Sequence, residues 1–230
     1  MYATTNQYVS AIAVDATSLY WADAMGGTVM KVPIHGGAAT TLALAPSVQS
    51  LAIDAASVYF LQGTLDAGLD SVPLQGGPTT ALASSIPQPV GLAVDAARVY
   101  WVFSEYIASS EEDMGVASCF LGGGSPTTLA SMTLDAPIGS QSTTGLALSG
   151  GKLIWAVEST LLDTPVDGGA ATTLATALPD LAASIVADST NAYVVTCDPA
   201  GSSSICTLLQ FPLEGGTAVT TTAGKLAQFA

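Results

Sequence analysis

Positive charge is the scarcest property of this 230-residue chain. Lys31, Arg98, Lys152 and Lys225 are its only basic residues, against 18 acidic ones, for a net charge of −14. A nucleic-acid backbone requires a cationic footprint, and so does an anionic membrane surface. Both partners are therefore disfavoured, whereas cations and basic proteins suit the charge. Histidine is nearly absent too. His35 stands alone, but a Ser-His-Asp triad needs an oriented histidine beside its nucleophile, and His-based zinc or iron sites need several ligands. No apolar run approaches the ~18 residues of a membrane-spanning helix, so no membrane insertion is expected. Residues 1–5 carry neither the basic nor the apolar part of a secretion leader; an extracellular or envelope location therefore takes the leader to be absent from this sequence. No stretch sustains a helical period, so almost no helix is expected.

Cysteine is sparse, at three residues. Cys197 and Cys206 flank the turn-rich stretch Asp198-Pro199-Ala200-Gly201-Ser202. Two readings stand: a disulfide across a hairpin, which implies an oxidising compartment, or two buried thiols. Cys119 has no partner nearby in sequence and reads as a core residue. Charged residues make up 10% of the chain and hydrophobic ones 49%. Soluble domains usually carry about 25% charge, so Thr, Ser, Ala, Gly and Gln must cover this surface instead.

What the chain has in abundance is repetition. Val32-Pro33-Ile34-His35-Gly36-Gly37 precedes Thr40-Thr41-Leu42-Ala43, and Val72-Pro73-Leu74-Gln75-Gly76-Gly77 precedes Thr79-Thr80. The pattern returns at Phe120-Leu121-Gly122-Gly123-Gly124, at Thr164-Pro165-Val166-Asp167-Gly168-Gly169 and at Phe211-Pro212-Leu213-Glu214-Gly215-Gly216. Each copy follows a small apolar run, of which Leu92-Ala93-Val94-Asp95 is representative, and then an aromatic run such as Val99-Tyr100-Trp101. Each unit thus offers four short β-prone runs, a to d. Run a, with Ala at its centre, suits a crowded inner strand. The Thr-rich run d suits an outer edge strand facing water. Pro near the end of c marks where pairing stops, and the glycines after it supply positive φ for the c–d turn. The Asp closing each a run caps the a–b turn. Four short strands per unit at regular spacing predict a propeller blade. The expected fold is all-β: one domain over residues 1–230, with five four-stranded antiparallel blades at about 10–49, 50–90, 91–144, 145–183 and 184–222.

Leu92-Ala93-Val94-Asp95 followed by Tyr100-Trp101 resembles the YWTD propeller repeat of low-density-lipoprotein-receptor-type proteins. The nearest copy is Tyr20-Trp21-Ala22-Asp23, followed by Gly27-Thr28-Val29. The whole unit is also similar to repeats in bacterial secreted or lipoprotein propellers. The resemblance covers nearly the full chain and implies the fold, which hosts many functions. Only the first repeat keeps the fourth-position Asp; the others carry Gln62, Phe103, Val157 and Thr196 there. YWTD-type propellers usually have six blades. Five repeats therefore leave two readings, a closed five-bladed ring or part of a propeller of six or more blades.

The a–b and c–d turns are uniform in length, so variation falls on the b–c and d–a connections, which emerge on one end of the blades. Loops on a rigid scaffold carry function more often than the scaffold does, so this variable face is the expected working face. The third repeat varies most. Its b–c segment holds Glu105, Tyr106, Glu111, Glu112 and Asp113, and its d–a segment holds Asp135. Hard cations take carboxylate oxygens, which makes Glu111 and Asp113, with Asp66 and Asp70 of the second repeat, candidate Ca²⁺ ligands. The competing reading is a solvated acidic loop that needs no cofactor, since the spacing is not that of an EF-hand. Trp21, Trp101 and Trp155 share one position in run b, which is simplest as packing between blades; a sugar-stacking role requires that they reach the surface. The expected function is a non-enzymatic extracellular or envelope scaffold that binds protein or glycan on the variable face. Two alternatives are a structural subunit of a homo-oligomeric or filamentous assembly and a cation-dependent enzyme at the mouth of a central channel.

Overall fold

The computed structural model describes residues 8–63, 66–108, 111–135, 145–197, 206–215 and 219–224. They form a β-propeller of five four-stranded antiparallel blades. The first blade joins β1 (Val9–Val14), β2 (Ser18–Asp23), β3 (Thr28–Pro33) and β4 (Thr40–Leu44). The second joins β5 (Val48–Ile53), β6 (Ser57–Gln62), β7 (Asp66–Pro73) and β8 (Thr80–Pro87). The third is β9 (Val90–Val94), β10 (Arg98–Ala108), β11 (Glu111–Phe120) and β12 (Thr127–Asp135). The fourth is β13 (Leu146–Ser149), β14 (Lys152–Val157), β15 (Thr160–Pro165) and β16 (Thr172–Ala175). The fifth is β17 (Leu181–Ala187), β18 (Asn191–Cys197), β19 (Cys206–Pro212) and β20 (Val219–Gly224). No helix occurs among the described residues, and none is long and apolar enough to cross a membrane.

Local chemistry explains why each blade forms. At the a–b turn of the first blade, Asp15 Oδ1 accepts the Thr17 and Ser18 amides at 2.6 and 2.7 Å. Its Oδ2 accepts the Tyr20 hydroxyl at 2.8 Å. The same arrangement recurs as Asp54 with Tyr59, Asp95 with Tyr100 and Asp188 with Tyr193, at 2.7–2.9 Å. One carboxylate therefore ties the turn to the second strand. The fourth blade lacks both partners together: Ser149 stands at the Asp position and Ile154 at the Tyr position, and its turn is Gly150-Gly151, both with positive φ.

At the other turn, the residue closing strand c accepts an amide three residues on. Gly36 donates to Pro33, Gly76 to Pro73, Gly123 to Phe120, Gly168 to Pro165 and Gly215 to Pro212, at 2.8–3.2 Å. Proline is tolerated there because it is the last residue of the ladder. The glycines do more than bend the chain. A side chain on Gly123 would lie 3.4 Å from the Leu82 backbone, and one on Gly168 would lie 3.5 Å from the Leu129 carbonyl. Gly124 and Gly169 also donate to the carbonyls of Leu82 and Leu129 at 3.2 Å. The c–d turn of one blade is thus seated on the d strand of the blade before it.

The chain divides into two compact units: Met1–Phe103 with Ala117–Thr127, and Ser104–Val116 with Thr128–Ala230. The first unit holds two cores. Tyr20, Ala22 and Val29 pack with Leu51, Phe60 and Val72, and Tyr59, Leu61 and Leu69 pack with Leu92, Trp101 and Cys119. The core of the second unit joins Ile154, Ala156 and Leu161 to Ile185, Val194 and Phe211. In each core, one face of a blade meets the opposite face of the next. The three tryptophans are buried, so they serve packing and offer no sugar platform. Cys119 is buried as well, and burial pushes its thiol up to about 11.

Candidate functional site

The third blade departs from the others in the length of its strands. β10 and β11 run for 11 and 10 residues, against 6 in the matching strands of the first and fourth blades. The segment expected as an acidic loop, residues 104–113, is therefore mostly strand, with Ser109 and Ser110 outside the described residues. The cause is composition: Tyr106 and Ile107 favour extended backbone, and the extra length continues a ladder already begun. β12 is also long and carries Asp135 at its end.

Strand geometry sorts the carboxylates. Successive side chains alternate between faces, so this cluster cannot act as one patch. Glu105, Glu111 and Asp135 are exposed, Asp113 is half-buried, and Glu112 is buried, with 3% of its surface accessible. Glu112 accepts a hydrogen bond from the Ser104 hydroxyl through Oε1. Its Oε2 is buried with no hydrogen-bond partner. A buried acceptor left unmatched costs about 1–3 kcal/mol. The solvated-loop picture is thus wrong for Glu112, because the hairpin turns that side chain inward.

Two apolar side chains stand exposed beside these acids. Tyr106 is 44% accessible and Ile107 is 52% accessible, and Met132 of β12 is exposed too. The sequence reading included Tyr106 but missed Ile107, Met132 and Ser104. Their signal was the β-propensity of the segment, outweighed by its run of acids. The hairpin beyond Ser104 and most of β12 lie in the second unit.

The second-repeat candidates are placed differently. Asp66 begins β7, but its side chain lies outside the described residues. Asp70 is buried on the same strand, accepts from the Gln62 amide, and is held above the ordinary carboxyl range by that burial. Among the described residues, no three His, Cys, Asp or Glu side chains gather in a metal-binding group. Asp23, the one fourth-position Asp, is buried and accepts the Gly26 amide at 2.8 Å through Oδ1, while Oδ2 has no partner. Its observed contact is a cap on the b–c turn. His35 is exposed in a c–d turn.

Cys197 and Cys206 form a disulfide, with their Cα atoms 4.2 Å apart. They are directly opposite in the β18–β19 register. That pairing decides between the two readings of these cysteines.

No protein-family model matches the sequence, and no curated protein matches it. Solved structures do match. The chain is similar to one in the crystal structure of a nidogen/laminin complex, with a TM-score of 0.68 and 16% identity over 90% of this chain and 77% of that one. It is similar to a structural genomics protein of unknown function from Bacteroides thetaiotaomicron, at TM-score 0.65 and 13% identity, covering 95% of this chain but 58% of the other. The computationally designed Ika8 protein matches at TM-score 0.58 and 12% identity over 97% of this chain and 77% of its own. At such identities the likeness is one of fold alone.

Proposed function

We propose that this protein is a non-enzymatic binding scaffold of the cell exterior or envelope that takes a protein partner on the extended hairpin of its third blade. The observation that carries the reading is the exposed Tyr106 on β10; its sequence neighbours Glu105 and Ile107 are exposed on the other face of that strand. Exposed aromatic and aliphatic anchors on rigid strands are what protein interfaces use as hot spots. The acids and the −14 net charge select a basic partner and speed its approach. The disulfide supports an oxidising compartment. A structural neighbour solved in a nidogen/laminin complex is consistent with a protein partner. No cofactor is required; Ca²⁺ on Glu111 and Asp113 is the alternative for the same acids.

The test is an array of secreted proteins and glycans probed with the wild type and with Tyr106→Ser/Ile107→Ser. The expected result is a basic protein ligand whose affinity falls at least about tenfold in the variant, as for loss of a hot spot. Ligands bound equally by both forms would place the working surface elsewhere. Binding abolished by chelation and restored by Ca²⁺ would favour the cation reading, and a glycan ligand would redirect the partner class.

A further inference from the structure

The outer strand of a blade has a ladder partner on one side only, so its far edge offers backbone N–H and C=O groups to another chain. Shortness, proline and lysine are three protections against such pairing. β4 and β16 stop after five and four residues. β8 runs for eight, but Ser85 within it has a φ of 55° and Pro87 ends it. β12 runs for nine residues, Thr127–Asp135, as the outer strand of the third blade. It contains no proline, no lysine and no residue with positive φ.

The first part of this edge is in use. The Leu129 carbonyl accepts the Gly169 amide from the turn of the fourth blade at 3.2 Å. Past it, among the described residues, no backbone hydrogen bond from outside the sheet reaches Ala130–Asp135. That free stretch matches an ordinary strand, about 5–6 residues, in length. Ser131, Met132, Thr133 and Asp135 are exposed and Leu134 is half-buried. Strand alternation puts Met132 and Leu134 on one face, and Ser131, Thr133 and Asp135 on the other.

The surroundings select the charge of an incoming strand. No Lys, Arg or His occurs between Arg98 and Lys152. Within that interval Glu105, Glu111 and Asp135 are exposed and Asp113 is half-buried. β12 from Thr128 onward and the hairpin from Ser104 to Val116 belong to one compact unit, so the free edge and the hairpin acids are carried by the same body.

We infer that Ala130–Asp135 is a docking edge for an extended, basic segment of a protein partner, which adds to the third blade as a fifth strand. In this mode backbone hydrogen bonds supply affinity and alternate side chains supply specificity. Lys or Arg side chains of the incoming strand meet the acids, and apolar side chains between them lie over Met132 and Leu134. The inference rests on the hairpin reading above and names the form in which the partner binds.

The test titrates the intact chain with a fluorescent peptide of alternating Lys and Val, followed by anisotropy up to about 1 mM. A twin peptide, N-methylated at every residue, keeps the charge and the side chains but has no N–H to donate. The unmethylated peptide should bind, slow hydrogen exchange at Ala130–Asp135, and outbind its twin by at least about tenfold, as for the loss of a few backbone hydrogen bonds. Ser131→Pro/Thr133→Pro, which removes donors from the edge, should weaken the unmethylated peptide by a similar factor. If those prolines unfold the chain, the two peptides on the wild type still decide. Equal binding of the twins would overturn the inference, as would no binding at the highest concentration. Tyr106→Ser/Ile107→Ser separates it from the hairpin reading. Loss of the peptide in that variant, with no effect of methylation, would sink strand addition and leave the hairpin site standing. A peptide indifferent to both changes would sink the two together.

Discussion

At the residue scale, the most repeated device is the carboxylate that closes the a–b turn and receives a tyrosine hydroxyl. In the first blade, the Thr17 amide and then the Thr17 hydroxyl hold the Asp15 carboxyl down to about 2. Burial, followed by the bond to Asp54, pushes the Tyr59 hydroxyl up to about 12. The two shifts act in opposite pH windows. A carboxyl lowered in the folded state contributes stability that is full above its ordinary range near 4 and is lost as pH falls toward 2. A phenol raised in the folded state contributes stability that is full below about 10 and is lost as pH rises through 12. The protein should therefore lose stability below about pH 4 and again above about pH 10, as followed by denaturant midpoints. Tyr59→Phe should cost about 1–2 kcal/mol at neutral pH and flatten the alkaline arm. Asp54→Ala with Tyr59→Phe should cost less than the sum of the two single changes, since both remove the same bond. Additive losses in that cycle would show that the pair is not coupled. Ser149 with Ile154 is the natural form of the double change.

At the element scale, the fifth blade is the one with a covalent clasp. Cys197 and Cys206, nine residues apart, close the b–c end of the β18–β19 hairpin. Chain entropy for so short a loop predicts a stabilisation of about 2–3 kcal/mol. Cys197→Ala/Cys206→Ala should therefore lower the unfolding midpoint by that order, with hydrogen exchange rising first in β18 and β19. Under non-reducing conditions, a thiol reagent should find one group per denatured chain. In the native protein it should find none at pH 8, because Cys119 is buried with its thiol raised to about 11. Two or three titrating thiols would sink the disulfide. The strands, turns and repeat phase were legible because period, Gly-Gly and Asp signals are local. The third-blade hairpin was not: its acids suggested solvent, but strand alternation and a ladder already in progress carried the chain outward and turned Glu112 in.

At the scale of the whole molecule, stability comes from blade-to-blade junctions, as in other arrays built of nearest-neighbour contacts. Gly145 shows how close these junctions are. A side chain there would lie 2.6 Å from the Ile185 backbone nitrogen, so β13 and β17 approach through the missing Cβ. Gly145→Val should cost about 1–3 kcal/mol by overpacking, read as a lower urea midpoint. A neutral result would show that the two strands can part freely. The Leu of each Thr-Thr-Leu-Ala run has a similar role, since Leu82 and Leu129 lie beneath the glycine turns of the following blades.

The amino-acid sequence by itself determined the all-β class, the five units, the four strands in each and the capped turns between them. Those features depend on hydrophobic alternation and on residues with special backbone or capping chemistry, all acting within a few positions. Tertiary structure alone decided which equivalent residues are covered. Leu44 and Leu51 are the same residue type, yet one is exposed and the other buried, because burial depends on the strands that pack against each. It likewise decided that Glu112 faces inward, that Tyr20 answers Asp15, and that the glycine turns bear on a neighbouring strand. Each of these is a relation between elements or faces that local composition does not encode.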